Sequence, residues 1–397
     1  MIKKSNFMQK YSLGVDMSFK TFHVCLSVIE DDQQVKVKAS TSFSNNTEGF
    51  KLLIGWINRH YKQKELPLSI VMEATGVYYE RCALTLFLAG YKVSVVLPNV
   101  AKKFLGSIGQ KSKNDKIDAK GLSRMGAERK LDEWRPMEDF FYTLRSYTRQ
   151  HESLQQTKTI LNNQKHAVEN QAHPNALVLT QLQQLVDTIE GQIKELFKAI
   201  DKHIASNKVV SDKVQGICKI KGVGILTTAV VLAETNGFAL FKNIPQLVSY
   251  SGYDVVEDQS GNHVGATRIS KHGNGHIRRA LYMPAFHAGN WEQSIFQDLY
   301  QRVFDRTKLK MKAYVAVQKK LLTTIFSLWK SNTAFDKNYE NGLQQNKQTE
   351  EQEQMLSSLV SLEKAGTLAK KVVPKKSELH KVNKPIKQSQ LAPSLVM

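Results

Sequence analysis

The chain has 397 residues, which is enough for two or three domains. Its 56 Lys and Arg outnumber its 36 Asp and Glu, and the resulting net charge of +20 indicates a polyanionic partner, most commonly nucleic acid. No apolar run is long enough to cross a membrane, and the first residues lack the apolar core of a secretory signal, so we expect a cytoplasmic protein with no membrane partner.

Strands and helices alternate through the first hundred residues. Three predicted strands come first: one ends in the carboxylate of Asp16, the second is rich in β-branched and aromatic residues, and the third alternates apolar and polar residues less cleanly. A helix beginning near Asn46 follows them. Two short apolar strands come next, with a helix opening at Gly76 between them, and Pro98 ends the second of these strands. The five predicted strands cover residues 11–16, 21–29, 35–43, 68–72 and 91–97. This order of elements is typical of the α/β ribonuclease H-like fold.

Four carboxylates occupy special positions in this pattern. Asp16 and Glu73 end predicted strands, and Asp115 and Asp118 stand three residues apart on a later helix, where they would project from one face. Carboxylates so close together repel each other unless a cation lies between them, and oxygen ligands suit Mg²⁺ or Mn²⁺. In the ribonuclease H-like fold, strand ends and one late helix converge on a metal pair, so we predict a metal site here.

Each of these carboxylates also has a structural alternative. Asp16 could be a turn residue, Glu73 a charge at a helix N-terminus, Asp115 a helix cap and Asp118 a solvated acid. Lysines, including Lys111 and Lys113, flank the pair of Asp115 and Asp118. Their positive charges favour a phosphate backbone as the ligand that binds beside the carboxylates and the cation.

The middle of the chain is helical. Residues 140–168 form one amphipathic helix, and a second carries apolar residues at steps of four and three, which is a heptad pattern. The pattern predicts an antiparallel helical hairpin or coiled coil, with an ordinary amphipathic helix as the alternative. Arg145, Arg149 and Lys158 on the first helix either grip nucleic acid or form a solvated face. The heptad positions are Leu182, Val186, Ile189, Ile193, Leu196, Ile200 and Ile204.

Two glycine-containing segments with cations follow. Gly222 and Gly224 form a turn between short helices that resembles a helix-hairpin-helix, whose backbone N–H groups can approach a phosphate; tight helix turns also use glycine. Farther on, a basic glycine-containing loop leads into a helix predicted over residues 277–286, and phosphate binding is its natural use. Its candidate nucleic-acid-binding residues are Arg268, Lys271, His272, Arg278 and Arg279. The alternative is a basic surface loop.

The last part of the chain changes character. Residues 308–329 are predicted to form a long amphipathic helix, with a further short helical piece near residues 355–362. Beyond Asn332 the sequence is rich in Lys, Gln and Asn, and we expect a basic, disordered tail. The spacing of Cys25, Cys82 and Cys218 does not fit a zinc site, and three cysteines cannot form a complete set of disulfides. We therefore expect all three to be reduced, apolar residues of the core.

Short motifs along most of the chain resemble those of one family, the DEDD transposases of bacterial insertion sequences, which are bridge-RNA-guided recombinases. The resemblance covers residues 11–329. The motifs are Glu73-Ala74-Thr75-Gly76, Lys113-Asn114-Asp115-Lys116-Ile117-Asp118-Ala119, Ile220-Lys221-Gly222-Val223-Gly224 and Ile269-Ser270-Lys271-His272-Gly273-Asn274.

The resemblance implies a RuvC-like N-terminal domain with an acidic tetrad at Asp16, Glu73, Asp115 and Asp118. It also implies a coiled coil and a smaller, mostly α-helical transposase domain with a nucleophilic serine. Ser260, just before a glycine and upstream of the Ile-Ser-Lys motif, matches that serine best, with Ser251 and Ser270 as rivals. The corresponding divisions are residues 1–135, 136–210 and 211–331, with the tail at 332–397 departing from the family pattern.

By the same resemblance, we expect a homodimer or homotetramer that acts on donor and target DNA with a structured guide RNA, in the nucleoid of a bacterium. The predicted reaction is cleavage and rejoining of DNA through a covalent phosphoserine. One alternative is a metal-dependent Holliday-junction resolvase or nuclease that uses water. Another is a nucleic-acid-binding protein with an inactive ribonuclease H-like fold, against which the complete set of four carboxylates argues.

Overall fold

The computed structural model describes residues 7–109, 114–261, 263–265, 267–292 and 294–336. The chain divides into two compact units, Met1–Thr143 and Leu144–Met397, and each unit is described by itself. Lys111, Lys113, the short helix predicted near residues 355–362 and the tail beyond residue 336 lie outside the described residues. No helix in the described ranges is both long and apolar enough to span a membrane.

A five-stranded mixed sheet forms the core of the first unit. The strands are β1 (Met8–Met17), β2 (Thr21–Glu30), β3 (Val35–Ser44), β4 (Leu68–Glu73) and β5 (Val93–Val96). Their spatial order is β3-β2-β1-β4-β5, with β1, β2 and β3 antiparallel and with β4 and β5 parallel to β1. The five strands predicted from the apolar pattern are all present. This order and these directions confirm the prediction of a ribonuclease H-like sheet.

Four helices accompany this sheet: α1 (Thr47–His60), α2 (Glu80–Leu88), α3 (Pro98–Ser107) and α4 (Asp115–Glu128). Asn46 caps α1, as its side chain accepts a hydrogen bond from the Gly49 N–H. The prediction that Gly76 opens α2 was wrong, because Gly76 lies in a turn with a φ of +56° and the helix begins at Glu80. Pro98 does more than end β5, since it occupies the first turn of α3, where its missing N–H costs nothing.

The second unit is mostly helical, as predicted, with two very short hairpin-like pairings of strands. Its helices are α5 (Asp139–Glu169), α6 (Ala176–Ala205), α7 (Lys208–Cys218), α8 (Ile225–Thr235), α9 (Ile244–Tyr250), α10 (Gly275–Ala280), α11 (Tyr282–Gly289), α12 (Ile295–Thr307) and α13 (Lys310–Ser331). Its strands are β6 (Val255–Val256), β7 (Gln259–Ser260), β8 (His263–Val264) and β9 (Arg268–Ile269), with β6 pairing with β9 and β7 with β8. The single helix predicted over 277–286 is instead two helices that meet at Leu281.

Helices α5 and α6 contact each other in opposite directions. Lys158 pairs with Glu190 at 2.7 Å, and Lys165 donates to Gln183 at 2.6 Å. Because the later residue of α5 contacts the earlier residue of α6, the two helices are antiparallel. The predicted heptad residues of α6 are all buried or half-buried, which shows that they form its covered stripe. The antiparallel hairpin is present, and a coiled-coil packing of this stripe stays a prediction.

Candidate active site and nucleic-acid interface

Two of the four predicted metal ligands lie side by side at one end of the sheet. Strands β1 and β4 run parallel with Val15 opposite Met72, so the next residues along each strand are Asp16 and Glu73. Both side chains are half-buried, and the Thr75 hydroxyl donates a long hydrogen bond of 3.4 Å to a Glu73 oxygen. Parallel pairing thus brings together two carboxylates that are 57 positions apart in sequence.

A close approach at Gly14 brings helix α4 to the same end. A Cβ atom on Gly14 would lie 2.0 Å from the Ala119 carbonyl oxygen and 2.3 Å from the Ser123 nitrogen, so only glycine fits beneath this helix. A Cβ atom on Gly126, nearer the C-terminus of α4, would lie 2.4 Å from the Ser12 hydroxyl oxygen. Because Gly126 faces Ser12 and the Ala119 turn faces Gly14, α4 runs opposite to β1. Its first turn, with Asp115 and Asp118, therefore lies toward Asp16.

His23 is a residue of this region that the sequence patterns did not single out. It lies across the antiparallel pair from Asp16, and its Nδ1 atom is 3.5 Å from an Asp115 oxygen. That nitrogen is buried and makes no hydrogen bond in the described structure. A buried imidazole nitrogen without a hydrogen bond is unusual, and it adds a further potential donor atom beside the carboxylates.

The donor set fits a hard divalent cation in its chemistry. Four carboxylates approach the same end of the sheet, and oxygen ligands of this kind suit Mg²⁺ and Mn²⁺. Among the described residues, no three His, Cys, Asp or Glu side chains come close enough together to hold a metal ion as they stand. The Asp115 side chain is 57% exposed, so it lies at the solvent edge of this region. Asn114, not Asp115, caps α4 through the Ile117 N–H, which removes the helix-cap alternative for Asp115.

In the second unit, a buried carboxylate connects three segments of the chain. Glu234 on α8 accepts two hydrogen bonds from the Arg149 guanidinium, at 2.7 and 2.9 Å, and one from the Asn274 amide at 2.6 Å. The Tyr250 hydroxyl donates to the Glu234 backbone carbonyl at 3.0 Å. Burial alone would raise the pKa of Glu234, but the Arg149 and Asn274 hydrogen bonds together hold this pKa below its ordinary value. The side chain is therefore an ionised, fully partnered carboxylate.

A second carboxylate, Glu152 on α5, binds the segment at the start of α10. Glu152 forms an ion pair with Arg279 and accepts from His276 Nδ1 at 2.5 Å. Arg149 and Lys158, which we considered as nucleic-acid contacts or as a solvated face, make ion pairs inside the unit instead. The sequence signal for the buried ion pair of Arg149 and Glu234 was the position of Glu234, an acidic residue within the apolar run of α8.

The three candidate serines occupy different environments. Ser260 is exposed and stands opposite His263 in the β7–β8 pair, next to Gly261 with a φ of +56°. Ser251 follows the last residue of α9 and is fully buried, and its hydroxyl has no hydrogen-bond partner within the described ranges. Ser270 accepts from the His272 N–H at 3.3 Å. Of the three serines, Ser260 is exposed to solvent, Ser270 is half-buried and Ser251 is buried.

The basic loop is held to the end of α9 by its backbone. The Lys271 N–H donates to the Gly252 carbonyl at 3.1 Å, and the Asn274 N–H donates to the Tyr250 carbonyl at 2.7 Å. Arg268, Lys271 and His272 are exposed on this framework. Two further cations of the segment are used internally, because Arg278 donates to the Ser251 carbonyl at 2.8 Å and Arg279 pairs with Glu152.

The two glycines of the predicted helix-hairpin-helix turn differ in their surroundings. Gly222 has a φ of +89°, and a Cβ there would come within 2.7 Å of the His287 Cβ, so the conformation and the packing both require glycine. Gly224 precedes α8 and faces open space. Packing therefore accounts for Gly222, whereas Gly224 leaves the N-terminus of α8 accessible.

Two family models match the chain. The model of a DEDD transposase of IS110 type matches residues 13–174, and that of the transposase IS116/IS110/IS902 family matches residues 214–301. The pilin gene-inverting protein of Moraxella bovis is 27% identical over 334 residues, which cover 83% of this chain and 99% of that protein. An insertion element IS110 uncharacterized 43.6 kDa protein of Streptomyces coelicolor is 24% identical over 40% of this chain and 36% of its own length.

Among solved structures, that of Thermus thermophilus RuvC covers 31% of this chain and 99% of its own, with 9% identity and a TM-score of 0.25, a value too low to support an argument. The two transposase models and the carboxylates at the end of the mixed sheet define an enzyme that acts on DNA. Within that class, the chain belongs to the IS110 family of DEDD transposases.

Proposed function

We propose that this transposase cleaves and rejoins DNA strands through a covalent bond between DNA and Ser260, and that Asp16, Glu73, Asp115 and Asp118 hold a divalent cation that the reaction requires. The main support is the end of the sheet that these carboxylates share, in a chain of the DEDD family. The relative from Moraxella bovis carries a name that describes inversion of a gene, which is also a rearrangement of DNA.

The proposed step conserves the number of phosphoester bonds. The Ser260 oxygen attacks a backbone phosphorus and loses its proton, the bond to the leaving strand breaks, and the released strand oxygen takes up a proton. A second strand can then attack the serine phosphodiester and release the serine, so no outside energy source is needed. When bound, the divalent cation would neutralise phosphate oxygens and favour this attack.

Exposure favours Ser260 over its rivals as the attacking residue. A hydroxyl group is a weak nucleophile and must reach the phosphorus directly. Ser260 lies on an exposed turn beside Gly261, whereas Ser251 is fully buried and its backbone carbonyl holds Arg278. The hydroxyl of Ser270 accepts a backbone N–H within its own loop.

The proposal includes a structured guide RNA, donor and target DNA, and a dimer or tetramer of the chain. The net charge of +20 and the exposed cations Arg268, Lys271 and His272 on the basic loop support the nucleic-acid partners. Gly224 at the N-terminus of α8 is proposed as a further backbone contact to phosphate, and the second unit is proposed to act as the transposase domain that carries Ser260.

The decisive experiment uses the full chain with the RNA that copurifies with it and a plasmid carrying the element and its flanks. In the presence of Mg²⁺, wild-type protein should form a protein–DNA adduct that survives denaturation, together with recombinant DNA. Ser260→Ala should form neither and bind both nucleic acids normally, while Ser251→Ala should remain active. Asp118→Asn should lose both products.

Other outcomes would replace the proposal. Cleaved DNA without any adduct, in wild-type protein and in Ser260→Ala alike, would indicate a nuclease or junction resolvase that uses water. An adduct that persists in Ser260→Ala but disappears in Ser251→Ala or Ser270→Ala would move the nucleophile to that residue. Full activity of Asp118→Asn would contradict the metal site.

A further inference from the structure

Two aromatic side chains on α11 are open to solvent. Tyr282 and Phe286 are each 44% exposed, and Met283 between them is 54% exposed. Because the two aromatic residues are four positions apart, their side chains lie one above the other on the same face of the helix. Rings of this size are seldom left exposed in pairs on a soluble surface without a partner.

Phe286 is the outer member of a ladder of rings that continues across α13 and α12. Its centroid lies 5.4 Å from the Tyr314 ring, which lies 4.7 Å from Tyr300, and Tyr300 lies 6.0 Å from Phe304 in nearly parallel orientation. The inner rings are half-buried. They fix the position of Phe286, so a flat ligand that stacks on it meets a preformed surface and does not have to order the side chain.

Cations surround the far end of this ladder. Lys308 lies 5.8 Å above the Phe304 ring, and Lys310 stands four residues before Tyr314 on the same face of α13. Between Tyr300 and Lys312 the sequence has five basic residues, all exposed, and one acidic residue, Asp305, which pairs with Lys308. The basic residues are Arg302, Arg306, Lys308, Lys310 and Lys312.

We propose that Tyr282 and Phe286 form a stacking platform for the bases of an unpaired nucleic-acid strand, whose backbone is bound by the cations at the start of α13. Exposed rings offer a surface for bases, and neighbouring cations attract the phosphates. The platform does not suit a duplex, because paired bases are already stacked on each other. An apolar protein partner would fit the rings but not the five exposed cations. The inference takes nucleic acid as the ligand from the proposed function and adds the unpaired strand.

The test is binding of fluorescent oligo(dT), oligo(U) and a DNA duplex to the full chain, without divalent cation, measured by fluorescence anisotropy. The variant Tyr282→Leu/Phe286→Leu keeps apolar side chains on α11 but removes both rings. Its affinity for the single strands should fall by roughly fivefold or more per ring, with duplex binding nearly unchanged. Phe197→Leu is the matched control, because Phe197 is an aromatic residue of α6 that is 42% exposed outside the ladder. Met283→Leu controls for changes to α11 itself, and both controls should bind like the wild type.

Equal losses for duplex and single strands would overturn the proposal, as would unchanged single-strand affinity. If single-strand affinity were unchanged while the double variant became a smaller oligomer, the rings would be an interface between copies of the chain. A loss for oligo(U) alone would identify RNA as the strand, and a loss for oligo(dT) alone would identify DNA. Because the assay contains no divalent cation and detects no cleavage, its failure leaves the proposed chemistry at Ser260 untouched.

Discussion

The guanidinium of Arg149 and the carboxylate of Glu234 form a two-point ion pair, with N–O distances of 2.7 and 2.9 Å. The Glu234 side chain is only 1% exposed, whereas Arg149 is half-exposed. A planar guanidinium matches both carboxylate oxygens at once, which fixes the geometry as well as the charge. The pair therefore joins α5 to α8, and Asn274 extends it to the loop that carries the candidate nucleic-acid contacts.

Removing Arg149 should destabilise the second unit strongly. In Arg149→Ala, Glu234 would stay buried with only the Asn274 hydrogen bond on its side chain, and we expect a loss of about 3 kcal/mol, at the low end for a broken buried pair. Urea unfolding followed by tryptophan fluorescence measures this loss. Lys158→Ala is the control, since it removes a more exposed pair with Glu190 and should cost at most about 1 kcal/mol. Equal effects of the two variants would show that burial of Glu234 does not matter.

The same pair should make stability depend on acidity. The pKa of Glu234 is lowered in the folded protein, so below pH 4.5 the unfolded chain takes up its proton before the folded chain does. The contribution of Glu234 is complete above its ordinary pKa of 4.5 and is lost as the pH falls through the lower folded value. Wild-type stability should thus fall toward that of Glu234→Gln between pH 6 and pH 3. A constant difference between the two proteins over this range would show that Glu234 does not titrate with unfolding.

Local patterns were enough to predict the sheet and the ends at which Asp16 and Glu73 stand. Strand β2 is rich in β-branched residues and β4 is a compact apolar run, and the limits of the strands follow from turns and charges next to them in sequence. The prediction that α2 starts at Gly76 is wrong because this glycine adopts a left-handed turn conformation ahead of the helix. Such a conformation depends on the residues that pack around the turn, which the sequence pattern does not reveal.

Pairings between distant segments could not be predicted. Arg149 and Glu234 are 85 positions apart, and a half-exposed arginine on a polar helix looks like any solvated cation. The close approach of α4 to Gly14 could not be predicted either. A glycine within a strand indicates a bulge or a close contact, but the sequence does not show which segment makes that contact. His23 likewise reads as an ordinary strand residue until β1 and β2 pair and bring it opposite Asp16.

Replacing Gly14 with Ala should affect stability and DNA cleavage to different extents, because Gly14 lies at the end of the sheet that carries the four carboxylates. The new Cβ would meet backbone atoms of Ala119 and Ser123, so α4 must move away from β1, and we expect a loss of about 1–3 kcal/mol in stability. DNA cleavage should fall further than the loss of folded protein explains, because Asp115 and Asp118 move with α4. Thermal unfolding and single-turnover cleavage at a temperature where the variant is folded measure the two effects.

Gly55 supplies the matched control for this experiment. It lies in α1, and a Cβ there would meet nothing within 4 Å. Gly55→Ala should therefore leave cleavage unchanged and raise stability by up to about 1 kcal/mol through helix propensity. Normal cleavage by Gly14→Ala would mean that the position of α4 is not critical for the chemistry.

The three cysteines should differ sharply in reactivity. Cys25 and Cys82 are buried, and burial raises the pKa of the Cys82 thiol to about 12. Cys218 is half-buried, and burial raises its pKa as well, although a contact with Thr228 opposes this. Because only the thiolate reacts readily, a disulfide reagent at pH 8 should label at most one thiol per native chain and all three after unfolding. Labelling of Cys82 as fast as Cys218 would contradict the buried position of Cys82, and digestion followed by mass spectrometry identifies the labelled residue.

The last prediction distinguishes cations that contact phosphate from cations that hold the fold. Arg268 is exposed on β9 at the edge of the basic loop, whereas Arg278 is half-buried and donates to the Ser251 and Asn274 carbonyls. Arg268→Ala should weaken duplex DNA binding of any sequence and reduce the slope of log affinity against log salt by about 0.9, since one phosphate contact releases about that many counterions. Its stability should stay within about 0.5 kcal/mol of the wild type, as expected for a surface change. Arg278→Ala should instead lower stability by about 1–3 kcal/mol, because it removes the guanidinium hydrogen bond to the carbonyl of the fully buried Ser251. Lys158→Ala, whose ammonium group pairs with Glu190, should leave the salt slope unchanged. Affinity titrations at four salt concentrations and urea unfolding of the three variants provide the measurements.

If Lys158→Ala reduced the slope as much as Arg268→Ala, the ion pair with Glu190 would open on binding and α5 would be part of the interface. An unchanged slope in Arg268→Ala, with altered target preference, would mean that Arg268 reads bases and does not contact phosphate.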